Sequence, residues 1–204
     1  MTREEALVLV NSWTKNKNLV KHMLAVEAEM RALAREFKIK NSPARKSYTS
    51  SVAGGKLKIN VDDWGLAGLI HDADYEKWPD RHPKKLLKAL EENNAPSWLY
   101  NAVETHAWKY NDMEREPKTK LEWALYTCDE LSGFIIACAL VRPSKKLVDV
   151  TVASVLKKWL QKSFAKGVHR EQIEYCEDKL NIKLPDFIEI CLTALQSISG
   201  DLGL

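Results

Sequence analysis

An all-α fold, a multi-helix bundle, is predicted by three features of the 204-residue sequence. Apolar residues recur at alternating steps of three and four, most clearly at Leu19, Met23, Val26, Met30, Leu33 and Phe37. Only 8 Gly and 7 Pro occur, too few for the many turns of an all-β chain. An apolar content of 45% and a charged content of 29% are ordinary for a globular domain, so the chain reads as one domain, 1–204.

Taken in order, Thr2 ahead of Arg3, Glu4 and Glu5 is an N-cap arrangement that opens a short helix over about 2–14. A second helix is predicted from about Asn18 to Phe37. Between Lys38 and Asp63 the periodicity collapses into a Gly/Ser-rich loop. Its KLKINV segment has strand character, but a lone strand finds few partners in a helical chain. WGLAGLIH, Trp64 to His71, is a short buried helix. Helices then follow over about Pro83–Glu92, Pro96–Tyr110 and Thr119–Val141, with both prolines at first-turn positions where a missing N–H is harmless. Three more are predicted near 147–166, 169–180 and 185–199.

With 31 basic and 28 acidic residues the net charge is only +3, so a nucleic-acid partner is not expected. Cys128, Cys138, Cys176 and Cys191 have no metal-type spacing and read as reduced core residues. The acidic start MTREEALVLV lacks the basic region of a signal peptide. Leu121 to Val141 carries Glu122, Asp129 and Glu130, which argues against a membrane span. A cytoplasmic protein is the expectation.

The chemistry concentrates in a few residues. His22 lies three after Leu19 and four before Val26, and His106 lies three after Val103, so both fall on apolar helix faces. Each alone also reads as a buried neutral histidine bonded to a carbonyl. Asp129 lies four after Leu125 in a stretch without Lys or Arg; it is either a solvated neighbour of Glu130 or a buried carboxylate in need of a cation. His71 and Asp72 follow the apolar run WGLAGLI, and successive helical residues diverge by about 100°, near the angle between ligands of an octahedral ion.

In this order, His22, LIHD at 69–72, His82, THAW at 105–108 and CDELSGFI at 128–135 resemble the HD superfamily of metal-dependent phosphohydrolases, over roughly residues 19–141. The resemblance implies an HD-domain-like helical bundle, with a motif-bearing core over about 18–141 and a C-terminal helical extension over about 142–204. It implies a divalent metal held by His22, His71, Asp72 and Asp129, and it makes His82 and His106 the marks of a binuclear site. Tyr75 stands where the mononuclear nucleotidase branch has Glu, and Ala73 and Asp74 stand where the cyclic-dinucleotide branch has a Gly-bearing motif. The nearest similarity is to the compact binuclear group that includes symmetrical dinucleoside-tetraphosphate hydrolases, and to relatives with HDxDYE and ALVRPS text.

Histidine and carboxylate ligands without thiolate suit one or two ions of Mn²⁺, Fe²⁺, Zn²⁺, Co²⁺ or Mg²⁺. Asp72 has two oxygens and is the natural bridge. Asp74 and Glu76 are candidates for acid or base work, or are solvated loop charges. His82, just before Pro83, reads as a second-metal ligand, a phosphate donor or a cap. Arg142, Lys145, Lys158 and Lys162 are candidate substrate contacts; Lys158, Lys162 and Lys166 recur at four-residue steps, a pattern that also describes a solvated helix face. Tyr75, Trp78 and Trp108 are placed to stack on a base or to fill core, and His169 reads as surface. The expected activity is hydrolysis of a small phosphorylated compound, a nucleotide by preference, by metal-activated water. The rival is a non-catalytic metal-stabilised or nucleotide-sensing module.

Overall fold

In the computed structural model, which describes residues 1–39 and 59–204, ten α-helices and no strand are present among the described residues. α1 (Arg3–Trp13) opens on a reciprocal cap in which Thr2 Oγ1 accepts from Glu5 N and Glu5 Oε2 accepts from Thr2 N. α2 (Lys17–Glu36) is capped by Asn16 and buries Met23, Val26, Met30 and Leu33, the series that marked it in the sequence. α3 (Val61–Ile70) is buried on nearly every side. It starts earlier than predicted because Asn60 accepts from the amides of Asp62 and Asp63 while Asp63 accepts from Asn60 N. That cap takes the end of the expected loop into the helix, and Ile59 to Val61 form no strand. The rest of the expected loop, 40–58, lies outside the described residues.

α3 packs chiefly on α2, and Gly68 permits it. A Cβ there would sit 2.7 Å from the Val26 carbonyl oxygen and 2.8 Å from its carbon. α4 (Lys84–Glu92) and α5 (Ser97–His106) follow. α5 ends four residues earlier than predicted, since Lys109, Asn111 and Asp112 adopt positive φ and Lys109 N bonds back to Met113 O.

α6 (Lys120–Leu140) lies at the centre, packed against α2, α5, α8 (Arg170–Leu180) and α9 (Leu184–Ser197). Its Leu125, Leu131, Phe134 and Ile135 are fully buried, each worth about 1.5 to 3 kcal/mol of hydrophobic transfer. Among the described residues it is the one helix long and apolar enough to cross a membrane, yet 67% of that apolar window is buried inside the bundle. It is therefore a core helix. The four cysteines are free thiols in the same interior.

The predicted 147–166 helix is broken. A turn at Leu147–Asp149 precedes α7 (Val152–Trp159), and a short α10 (Ser199–Leu202) ends the chain. α7 stops because the Arg170 guanidinium takes the carbonyls of Trp159, Gln161 and Phe164. Lys158, Lys162 and Lys166 consequently share no helical face.

Candidate metal centre

Helices α2 to α6 and the turns between them deliver the site. His22 projects from the first half of α2, His71 caps the end of α3, and Asp72 begins the turn that follows. His82 precedes α4, His106 ends α5, and Asp129 sits midway along α6. All six residues assigned to the metal in the sequence converge.

The two oxygens of Asp72 divide the histidines between them. Its Oδ2 lies 3.7 Å from His22 Nε2 and 3.6 Å from His71 Nε2. Its Oδ1 lies 3.3 Å from His82 Nε2 and 3.6 Å from His106 Nε2. Asp129 Oδ1 joins the first group, 2.9 Å from His22 Nε2 and 3.3 Å from His71 Nε2. Donors bonded to one ion at about 2.1 Å and at angles near 90 to 110° stand about 3.0 to 3.5 Å apart, so these separations suit coordination.

The hydrogen bonds behind the rings fix which nitrogen faces inward. His71 Nδ1 donates to Gly68 O at 2.7 Å, and His106 Nδ1 donates to Val103 O. A carbonyl oxygen only accepts, so Nδ1 carries the proton and Nε2 offers a lone pair. His82 Nδ1 lies 2.7 Å from Asp74 Oδ1, which fixes the same tautomer. The other oxygen of Asp74 accepts from Leu86 N at 2.9 Å, at the start of α4. Asp74 thus joins His82 to the start of α4 from behind and does not line the cleft that opens over the site.

These commitments test whether a cation fits. His71 Nε2 is buried, and the polar atoms facing it are carboxylate oxygens, Asp129 Oδ1 at 3.3 Å and Asp72 Oδ2 at 3.6 Å, so the position calls for a proton or a cation. The Nε2 atoms of His82 and His106 face each other at 3.0 Å, and two lone pairs at that distance require a proton or a cation between them. Two trios, His22, His71, Asp72 and Asp72, His82, His106, each hold their ligand atoms within 4.8 Å of one another. Either trio could hold a metal ion.

Charge in the site follows the same logic. Burial opposes protonation of His71, but the carboxylates of Asp72 and Asp129 outweigh it and hold the ring up to about 9. Burial likewise opposes ionisation of Asp72 and Asp129, yet the adjacent histidines hold both carboxyls below the usual carboxylate range. His106 is held down by burial and by its histidine neighbours.

A cleft of about 700 Å³ opens over these groups, lined by His22, Asp72, His82, His106 and Asp129. His71 lies beneath its floor. One wall is aromatic: Trp108, Tyr126 and Tyr175 pack with centroids 5.6 to 6.2 Å apart, and Tyr75 and Tyr110 stand on the His82 side. Lys109 holds its ammonium 4.0 Å over the Trp108 ring. Glu130, His169, Glu171 and Gln172 complete the rim.

Several expected site residues stand elsewhere. Arg142, Lys145, Lys158 and Lys162 do not line the cleft; Arg142 lies beyond the end of α6, thirteen residues and roughly 20 Å along the axis from Asp129. Glu76 Oε2 accepts from the amides of Lys15 and Asn16 at 2.8 Å each, so it ties down the link into α2. Trp78 packs edge-on against Trp13 and is outside the cleft. Trp108 and Tyr75 do line it. His169, read as surface, is exposed but stands on the rim. Glu29 was not foreseen: it is fully buried, neither oxygen is hydrogen-bonded, and burial together with the Asp129 charge pushes its carboxyl well above the usual range.

Comparison of the chain with protein-family models, with curated proteins and with solved structures gives no match.

Proposed function

We propose that this chain is a metal-dependent phosphohydrolase of the HD type, acting on a phosphomonoester or phosphodiester of a small compound. The observation that carries the reading is Asp72, whose two oxygens each face a separate histidine pair. Divalent ions held there supply positive charge that polarises a phosphoryl group and acidifies water.

The remaining steps belong to the protein. The Gly68 carbonyl, behind His71, and Asp74, behind His82, keep the ligand nitrogens turned toward Asp72. Trp108, Tyr126 and Tyr175 present a wall suited to a planar group, and a nucleobase is the natural candidate. Among the described residues that line the cleft, Lys109 is the one Lys or Arg, and Glu130 and Glu171 add negative charge to the rim. Reduced, buried cysteines agree with a cytoplasmic setting.

Metal analysis of purified protein, followed by phosphatase and phosphodiesterase panels with Mn²⁺, Co²⁺ and Mg²⁺, tests the reading. Turnover that needs metal and disappears in Asp72→Ala is the expected result. Bound metal without turnover on any ester would favour a non-catalytic sensor, and absence of metal binding would remove the reading altogether.

A further inference from the structure

The cleft holds a histidine that is not among the metal-facing groups. His169 directly precedes α8, and Glu130 grips it twice: Oε2 accepts from the His169 backbone N–H at 3.0 Å, and Oε1 accepts from ring Nδ1–H at 3.0 Å. Glu130 directly follows Asp129 on α6, so the ring is anchored one residue from a candidate ligand. With Nδ1 committed, Nε2 is the atom left for the cleft that both residues line with Asp72 and Asp129. Gly133 and Gly167 keep the nearby wall low; a Cβ at Gly133 would meet nothing closer than Val168 at 4.0 Å.

Two phenols on the same cleft are poorly suited to giving up a proton near neutral pH. Burial pushes the Tyr126 phenol up to about 12, and Tyr75 is likewise raised by burial and by Tyr110. Lys109 is stacked on Trp108. His169 is two-thirds exposed, so it can recover a proton from solvent, and its hydrogen bond to Glu130 favours the imidazolium.

We propose that His169, positioned by Glu130, is the general acid that protonates the leaving oxygen of the phosphoester; this rests on the phosphohydrolase reading above. As the water oxygen bonds to phosphorus, the bond from phosphorus to the ester oxygen breaks, and its electron pair takes the proton from His169 Nε2. Alcohol and phosphate leave, the attacking water's proton passes to solvent, and solvent reprotonates the neutral imidazole.

The test compares two phosphomonoesters, a 4-nitrophenyl ester whose leaving oxygen needs no proton and an unactivated alkyl ester whose leaving oxygen does. His169→Asn is expected to lose about 100-fold or more in kcat on the alkyl ester and little on the nitrophenyl ester, with unchanged metal content. Glu130→Gln should show the same leaving-group dependence, and it keeps the test open should the first variant fold poorly. Equal losses on both esters, or no loss on either, would overturn the assignment while the phosphohydrolase reading stood. Failure of the unmodified protein to cleave either ester with any metal would overturn both.

Discussion

The Nε2 atoms of His82 and His106 face each other at 3.0 Å, and each ring has already given its Nδ1 proton elsewhere, to Asp74 and to Val103 O. That pairing is stable only with a positive charge between the rings. Removing the group that holds His82 should therefore weaken one ion and spare the other. Asp74→Ala is expected to lower affinity at the His82–His106 side by about 10- to 100-fold. Titration calorimetry on metal-stripped protein should resolve one weakened and one unaltered class of site; two unaltered classes would mean that Asp74 does not govern that ligand.

Without metal, protonated His71 is itself the cation that neutralises the carboxylates. Its folded value, up to about 9 against burial because of Asp72 and Asp129, exceeds its unfolded value of 6.5. The stability it contributes is complete below pH 6.5 and is lost as pH rises from there through about 9. The thermal midpoint of metal-stripped protein should fall across that window through this group, while metal affinity should rise because protons compete with the ion. Scanning fluorimetry with and without Mn²⁺ checks both directions, and a flat metal-free profile would indicate a neutral His71.

Glu29 is a carboxyl group left in the core with both oxygens unsatisfied. Its replacement by methionine, of similar length, should stabilise the protein by about 1 to 3 kcal/mol, seen as a rise in thermal midpoint of about 2 to 4 °C for each kcal/mol. A lower midpoint would show that the carboxyl has a stabilising partner in solution.

Gly68 carries two duties, close approach to α2 and a carbonyl that orients His71. The atoms that a Cβ would strike belong to the Val26 backbone and cannot swing aside. Gly68→Ala should cost about 1 to 3 kcal/mol and also weaken metal binding. Chemical denaturation read beside metal titration would separate these effects; full stability would mean that α3 slides on α2 without penalty.

The helices were readable wherever one face meets the core. The three–four spacing from Leu19 to Phe37 marks α2 and, with it, the inward placement of His22. His22, His71, Asp72, His82, His106 and Asp129 were assigned together through the resemblance to the HD superfamily, and they meet in space. Spacing misled where a side chain far along the chain ends an element: nothing local to Lys158, Lys162 and Lys166 shows that Arg170 will take the carbonyls following Trp159. Asp74 and Glu76 read as acid or base candidates or as solvated loop charges because their partners, Leu86 N and the amides of Lys15 and Asn16, are backbone atoms invisible in a residue string. The pairing of Glu130 with His169 spans 39 residues and leaves no local pattern. Glu29 did leave a trace, four residues after Ala25 and four before Leu33, inside the apolar series of its own helix.

The most direct test of the central claim is a crystal of this protein grown with Mn²⁺ and measured at an anomalous wavelength. Two anomalous peaks are expected, one beside His22, His71 and Asp129 and the other beside His82 and His106, with Asp72 between them. Absence of any peak at Asp72, or His22 and Asp129 turned toward bulk solvent, would contradict it.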